Sequence, residues 1–330
     1  MRAMRPSKIP KPGATREATL LAACLLAGFI FAAASPAFAT TENLLTILRN
    51  SNELLLVSLG MTLLLAMGGV DVSVGMTMGL GAIAVGEALQ AGWPLWAAAL
   101  MGPTTGATLG VVSACVVVLG RIPPIVGTLG LLGTYRTAIF LALGGSWLSG
   151  LPVGLTNALN VRPLGIPVAL IVILAAYGLV WTALRHTPYG PHLLSVGNSE
   201  ERARLSGVAV TRTRFATFVV NGVLCGVAAV FYVATYRNVA TTVGGALALE
   251  AIAAVVLGGT SVTGGRCSLI GTTIGVLLLR LLQNGLLLIG VPSLWQSVVT
   301  GALLLGVLGL EAAQGRIALA RIDVATRARP

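Results

Sequence analysis

FATFVVNGVLCGVAAVFYVATY, Phe215–Tyr236, and the stretch that follows it, GGALALEAIAAVVLGGTSVTGGR, Gly244–Arg266, decide how this chain folds. The first carries no acidic or basic residue, and roughly 20 apolar residues in a helix cross a hydrocarbon core of about 30 Å. It predicts a membrane span. The second has an apolar core, Ala251–Leu257, that is too short to cross, followed by Gly258, Gly259, Thr260 and Ser261. It predicts a broken or re-entrant helix near 244–265. Irregular backbone at membrane depth persists only where protein or a water-filled cavity satisfies its amides and carbonyls, so this segment is expected to line a pathway. Glu250 is costly in hydrocarbon and must face polar surroundings or the interface.

Working outward, further apolar runs lie at about Ala18–Ala39, Glu53–Gly69, Val72–Gln90, Pro94–Leu119, Ile125–Leu143, Pro163–Leu184, Ser268–Ile289 and Leu294–Glu311. With the two above, the expectation is an all-α, polytopic membrane protein of about ten spans. Composition agrees: 56% of the residues are hydrophobic and 9% charged, with a mean hydropathy of +0.92, too apolar for an ordinary soluble surface. The expected organisation is a basic cytoplasmic tail at 1–17, a transmembrane domain at 18–312 with a cytoplasmic connector at 185–214, and a cytoplasmic tail at 313–330.

Threaded from a cytoplasmic amino terminus, these runs leave only Arg49, Arg162 and Arg237 outside, with Arg136 and Arg280 within spans. The inside excess of cations orients both termini to the cytoplasm of a bacterial inner membrane. Trp93, Trp96, Trp147 and Trp295 then fall near the outer boundary and Trp181 near the inner one. The first run also admits a competing reading as a cleavable leader, with an apolar Leu20–Ala33 and a small-residue site at Ala37-Phe38-Ala39. Either reading leaves the 185–214 connector cytoplasmic.

Other classes are excluded on simple grounds. The net charge of +11 forms no basic stripe interleaved with aromatics, which argues against nucleic acid. Lysine occurs only at Lys8 and Lys11, so no GxxxxGK[ST] phosphate loop exists; if ATP drives the protein, a partner binds it and the chain needs no cofactor of its own. Cys24, Cys115, Cys225 and Cys267 are dispersed and read as small packing residues. His186 and His192 lack an HExxH or a carboxylate pair at ligand spacing, and no metal site is expected.

Four segments stand out. In Gly68-Gly69-Val70-Asp71-Val72-Ser73-Val74-Gly75, Asp71 or Ser73 is placed to cap the following helix, or to serve a gate or conduit. In the connector, Asn198 or Ser199 starts a short charged helix, Glu200 and Glu201 suit its first turn, Arg202, Ala203, Arg204 and Leu205 follow, and Gly207 ends it after Ser206. A docking element for a cytoplasmic motor needs such a capped helix. Gly258, Gly259, Thr260 and Ser261, with Glu250, are conduit or gate candidates. So are Arg280, Gln283 and Asn284, which share a helical face by i, i+3, i+4 spacing that should point inward.

GMTLLLAMGGVDVSVG, VGNSEERARLSGV and EAIAAVVLGGTSVTGGR, taken in order, resemble the signature segments of the permease subunits of ribose-type sugar ABC importers, over about Pro36–Gln314. The resemblance implies a non-catalytic permease with four kinds of partner. They are a cytoplasmic ATPase, a second permease copy or paralogue, an extracytoplasmic binding protein and a monosaccharide solute of the pentose, hexose or deoxysugar class, moved by alternating access. It also implies that the Asn198–Gly207 helix contacts the ATPase. Pro191, Arg204 and Cys267 depart from the family pattern. The outer connector Gly145–Arg162 is the expected surface for the binding protein. An ion-coupled secondary transporter is the alternative; it would use intramembrane carboxylates, for which only Glu87, Asp71 and Glu250 qualify.

Overall fold

A computed structural model describes residues 12–302 other than Ser293, together with 305, 306 and 309. Among the described residues the regular elements are helices, joined by turns and irregular connectors, with one bridge between Leu148 and Val239. The helices are α1 (Pro12–Ala34), α2 (Thr41–Ala66), α3 (Val74–Gln90), α4 (Leu95–Ala114, continued as a π-turn at Cys115–Leu119), α5 (Pro124–Leu143), α6 (Gly154–Asn160), α7 (Val168–His186), α8 (Tyr189–Asn198), α9 (Glu200–Leu205), α10 (Val210–Tyr236), α11 (Leu247–Leu257) and α12 (Leu269–Leu288).

Six helices among the described residues are long and apolar enough to cross a membrane: Arg16–Ala34, Leu95–Leu119, Pro124–Leu143, Val168–His186, Val210–Tyr236 and Leu269–Leu288. The apolar runs at Glu53–Gly69, Val72–Gln90 and Ala246–Thr263 behave differently. α2 is 26 residues long but begins well before Glu53 and takes in Glu42 and Arg49, while α3 has 17 residues and α11 only 11. α2 and α3 are largely buried within the protein, so their apolarity serves helix contacts more than lipid. The last run, Leu294–Glu311, and the 313–330 tail lie partly or wholly outside the described residues, as do residues 1–11.

α10 is the hub, packed against α2, α3 and α4. Its contact with α4 is made by backbone: a Cβ on Gly106 would strike the carbonyl of Gly222, and one on Gly226 that of Gly102. Close helix approach of this kind replaces the hydrophobic drive that lipid cannot supply. α1 starts at Pro12, inside the expected tail, and lies along α12, where Phe31 packs on Gly285, Gly28 faces Leu281 and the Cys24 thiol reaches the Ile274 carbonyl at 3.8 Å.

The outer connector is tied down. Leu148 and Val239 exchange backbone hydrogen bonds of 3.0 and 2.7 Å, Arg237 Nε donates to the Leu151 carbonyl at 3.0 Å, and Thr156 Oγ1 donates to the Ala234 carbonyl at 2.6 Å. Trp147 stays exposed there.

Candidate functional site

The three signature segments converge on one junction. α2 ends at Ala66, and its carbonyl accepts the Gly265 amide at 2.9 Å. α8 brings Gly197 against both groups, so closely that an added Cβ would collide with the Ala66 carbonyl and lie 2.6 Å from the Gly265 nitrogen. Gly264 would meet the Gly197 carbonyl at 2.6 Å, and Gly265 would meet the Asn198 side chain. Gly264 and Gly265 both have positive φ, 89° and 79°, which lets the loop turn there without a side chain.

From this junction the connector leads into α9 as the sequence pattern predicts. Ser199 Oγ accepts the Arg202 amide at 3.4 Å, Glu200 and Glu201 occupy the first turn, and Gly207, at φ 81°, closes the end through its amide to the Arg204 carbonyl. Glu200 holds Arg204 at 3.0 Å and Arg214 at 2.8 Å, pinning α9 to the start of α10. Leu205 is 82% exposed, and a free apolar side chain at the tip of a charged helix is the kind of group a partner would cover. α8 is a helix that local pattern does not mark: its Leu193 and Val196 are buried, but a single i, i+3 pair among prolines and glycines is too short a repeat to signal one. His186 stacks edge-on to Trp181, at 5.1 Å between centroids.

The broken segment hangs between two anchors. Above α11, Gly244 (φ 73°) meets Gly75 at the start of α3, where a Cβ on either would strike the other's carbonyl. Below it, Gly258 rests on Gly271 of α12, with the same consequence. Thr260 Oγ1 accepts the Ser268 amide at 3.2 Å, Ser261 and Thr263 share a hydroxyl contact of 2.9 Å, and Ser268 caps α12 through the Gly271 amide at 3.0 Å. α1 reaches across: Arg16 donates to the Val256 carbonyl at 2.9 Å, and Glu17 accepts from Ser268 Oγ at 2.8 Å. Cys267 follows this turn, and burial pushes its thiol up to about 12, so it is chemically quiet.

Within the helix bundle two polar clusters form. Arg280 contacts Glu53 at 3.4 Å, Glu250 at 3.2 Å and Gln283 Oε1 at 2.7 Å, while Gln283 Nε2 donates to Glu250 at 3.1 Å. Asn284 and Asn43 exchange amide hydrogen bonds of 3.0 Å each way. The inward face predicted from the Arg280 spacing is real, and a cavity of about 190 Å³ opens beside it, lined by Asn50, Tyr236 and Gln296 as well as Arg280, Gln283 and Asn284. Glu53 and Asn43 were missed as members, because partners more than two hundred residues away leave no local pattern.

In the second cluster Asp71 Oδ1 accepts the Ser73 amide at 2.8 Å and the Ser73 hydroxyl at 2.6 Å, and Oδ2 accepts Asn221 Nδ2 at 3.3 Å. This corrects the expected cap: Ser73 makes no side-chain bond to α3, since its hydroxyl is taken by Asp71, and Asp71 reaches an amide just before the helix rather than one in its first turn. Asn221 Oδ1 has no hydrogen-bond partner and lies against Gly60. Asn221, the one amide in the otherwise apolar Phe215–Tyr236 run, was the signal in the sequence. Glu87 is exposed near the carboxyl end of α3, away from both clusters.

Apolar helices packed around an irregular, glycine-locked segment, with Arg280 paired to acidic side chains between helices, make this a polytopic membrane protein. A family model described as branched-chain amino acid transport system / permease component matches residues 43–308, and the chain belongs to that family of importer permeases. It is 40% identical over 301 residues to the autoinducer 2 import system permease protein LsrC of Enterobacter sp. (strain 638), covering 90% of this chain and 86% of the relative. It is 36% identical over 256 residues to the LsrD permease of the same kind of system in Escherichia coli (strain K12), covering 76% and 78%. The resemblance to ribose-type sugar ABC permeases drawn from the three motifs therefore stands, and the chain is a permease subunit of such an importer. No solved structure matches it.

Proposed function

We propose that this permease works with a second permease, a cytoplasmic ATPase and an extracytoplasmic binding protein, moving a monosaccharide-sized solute inward across the bacterial inner membrane by alternating access. ATP is bound by the ATPase, and the permease does no covalent chemistry. In this reading the chain makes about ten spans with both ends cytoplasmic, α2, α3, the broken α11 segment and the apolar run Leu294–Glu311 joining the six longer helices. The solute class includes pentoses, hexoses and deoxysugars. Autoinducer 2, named for the relatives, is the first compound to assay.

The observation that carries this reading is the junction at Gly197. α9 is the docking helix, from Asn198 and Ser199 through Glu200, Glu201, Arg202, Ala203, Arg204, Leu205 and Ser206 to Gly207. Motion delivered there passes through α8 directly to the end of α2 and to the loop that terminates α11, since Gly197 touches both backbones. The broken segment then shifts as a gate, with Gly258, Gly259, Thr260 and Ser261 as its hinge and Glu250, Arg280, Gln283, Asn284, Asp71 and Ser73 as the polar groups that change neighbours. The acids at depth are engaged by Arg280, Gln283, Ser73 and Asn221, whereas an ion-coupled carrier needs carboxylates free to load an ion.

The test is uptake in sealed membrane vesicles carrying the full complex. ATP and binding protein together should drive accumulation, and charge reversal at Glu200 and Glu201 should reduce ATPase co-purification without loss of membrane insertion. Accumulation driven by an ion gradient with no ATPase present would refute the reading.

A further inference from the structure

α5 breaks the rule that the other open helices keep. α1 and α7 show lipid-type faces, with Leu25, Leu26 and Phe29 open on one and Leu174, Leu179 and Trp181 on the other. α5 exposes apolar residues only towards its ends, Val126 and Leu129 below and Phe140 and Leu141 above. Between them the exposed residues are Gly130, Gly133, Thr134, Arg136 and Thr137. Nothing lies within 4 Å of a Cβ built on Gly130 or Gly133, so no part of the described chain covers this waist.

Arg136 is exposed there and makes no hydrogen bond or ion pair among the described residues. It sits seven residues before the end of α5 at Leu143, about 10 Å at 1.5 Å per residue, inside a helix of spanning length. A guanidinium there facing acyl chains costs about 2.5 to 3.5 kcal/mol even on the lenient scale. Arg280, at similar depth in α12, is surrounded by two glutamates and a glutamine. The described residues thus supply acidic and amide partners for one intramembrane arginine and none for the other.

We infer that the waist of α5 faces a water-filled passage whose opposite wall is the second permease subunit, and that Arg136 contacts the solute in transit. An uncovered guanidinium flanked by glycines and threonines is met by water better than by apolar packing, and where the second permease is a copy the two Arg136 groups would also repel in direct helix contact. The Thr134 and Thr137 hydroxyls donate to the carbonyls of Gly130 and Gly133 at 3.0 Å each, which leaves oxygen lone pairs towards the passage. Arg136 offers five N–H donors and no acceptor, so the solute it suits is rich in acceptor oxygens: a polyhydroxylated or anionic small molecule, not a cation. This deepens the proposed function and rests on it.

The test uses the assembled importer in vesicles, with Cys24, Cys115, Cys225 and Cys267 replaced by alanine. Arg136→Cys should react with a water-soluble methanethiosulfonate at least about tenfold faster than Leu174→Cys on the lipid-type face of α7, and the transported solute should slow that reaction. Arg136→Gln should assemble normally yet lower the uptake rate about tenfold or more, with Arg136→Lys recovering part of it. Labelling as slow as at Leu174, or full uptake by Arg136→Gln, overturns the inference. If wild-type uptake proves independent of ATP, the proposed function fails instead, and the labelling comparison is still decided separately.

Discussion

The two ends of α11 share a glycine-to-glycine backbone contact, Gly244 on Gly75 and Gly258 on Gly271, and differ in what lies beside it. At its amino end Glu250 joins a network of side chains, Glu53, Arg280 and Gln283, drawn from three helices. At its carboxyl end Gly258 lies on Gly271, and the loop beyond it is gripped by Gly197 and Ala66, backbone against backbone. Side chains can be re-paired and can change rotamer, so the first end can reorganise while the helices stay put. A backbone contact with no Cβ between the chains can only slide or separate. The carboxyl end is therefore joined to the Gly197 junction by backbone alone, whereas the amino end adds side chains that can exchange partners around its backbone contact.

Predictions test that contrast, beginning with the largest effect. Arg280→Met leaves Glu53 and Glu250 together without a cation in a poorly hydrated site and should cost about 3–5 kcal/mol, read as a large fall in the detergent unfolding midpoint. Adding Glu250→Gln should recover a substantial part of it, because the fault lies in charge alone. No recovery would mean that Arg280 acts by shape.

Gly197→Ala should cost about 1–3 kcal/mol by overpacking, with uptake falling further than stability. Unlike the first case it should not be rescued by any side-chain change nearby, since the obstacles are the Ala66 carbonyl and the Gly265 amide. A rescuing second-site side chain would erase the distinction drawn here. Asp71→Asn removes a charged acceptor from Ser73 and Asn221 and should cost about 1.5–3 kcal/mol, measured by the same unfolding assay. The smallest effect belongs to Thr62→Val, which loses a 2.8 Å hydroxyl contact to Thr272 between α2 and α12 and should cost about 1 kcal/mol with near-normal uptake.

How much of this was legible in the sequence varies by residue. Ser199 and Gly207 were readable as the ends of α9, because a cap depends on neighbours two or three positions away. The inward face of Arg280 and Gln283 followed from helical periodicity. Their acidic partner Glu53 did not, nor did the pairing of Asp71 with Asn221, since each joins helices far apart along the chain. α8 went unread because its buried face is only Gly190, Leu193 and Val196, too short a repeat to separate from a loop. The apolar runs at α2 and α3 were seen, but hydropathy cannot tell a helix wrapped in protein from one wrapped in lipid.

By itself the sequence determined that the chain is a helical membrane protein without a GxxxxGK[ST] loop, and which three segments place it in its family. Apolarity, a missing lysine and short-range spacing are properties of composition and neighbouring residues, so they survive without coordinates. Only the tertiary structure decided that those segments meet at Gly197, that Arg280 pairs with Glu53 and Glu250, and that Arg136 has no partner among the described residues. Such facts depend on which backbones come within van der Waals reach and which side chains are left facing outward, and long-range packing alone sets both.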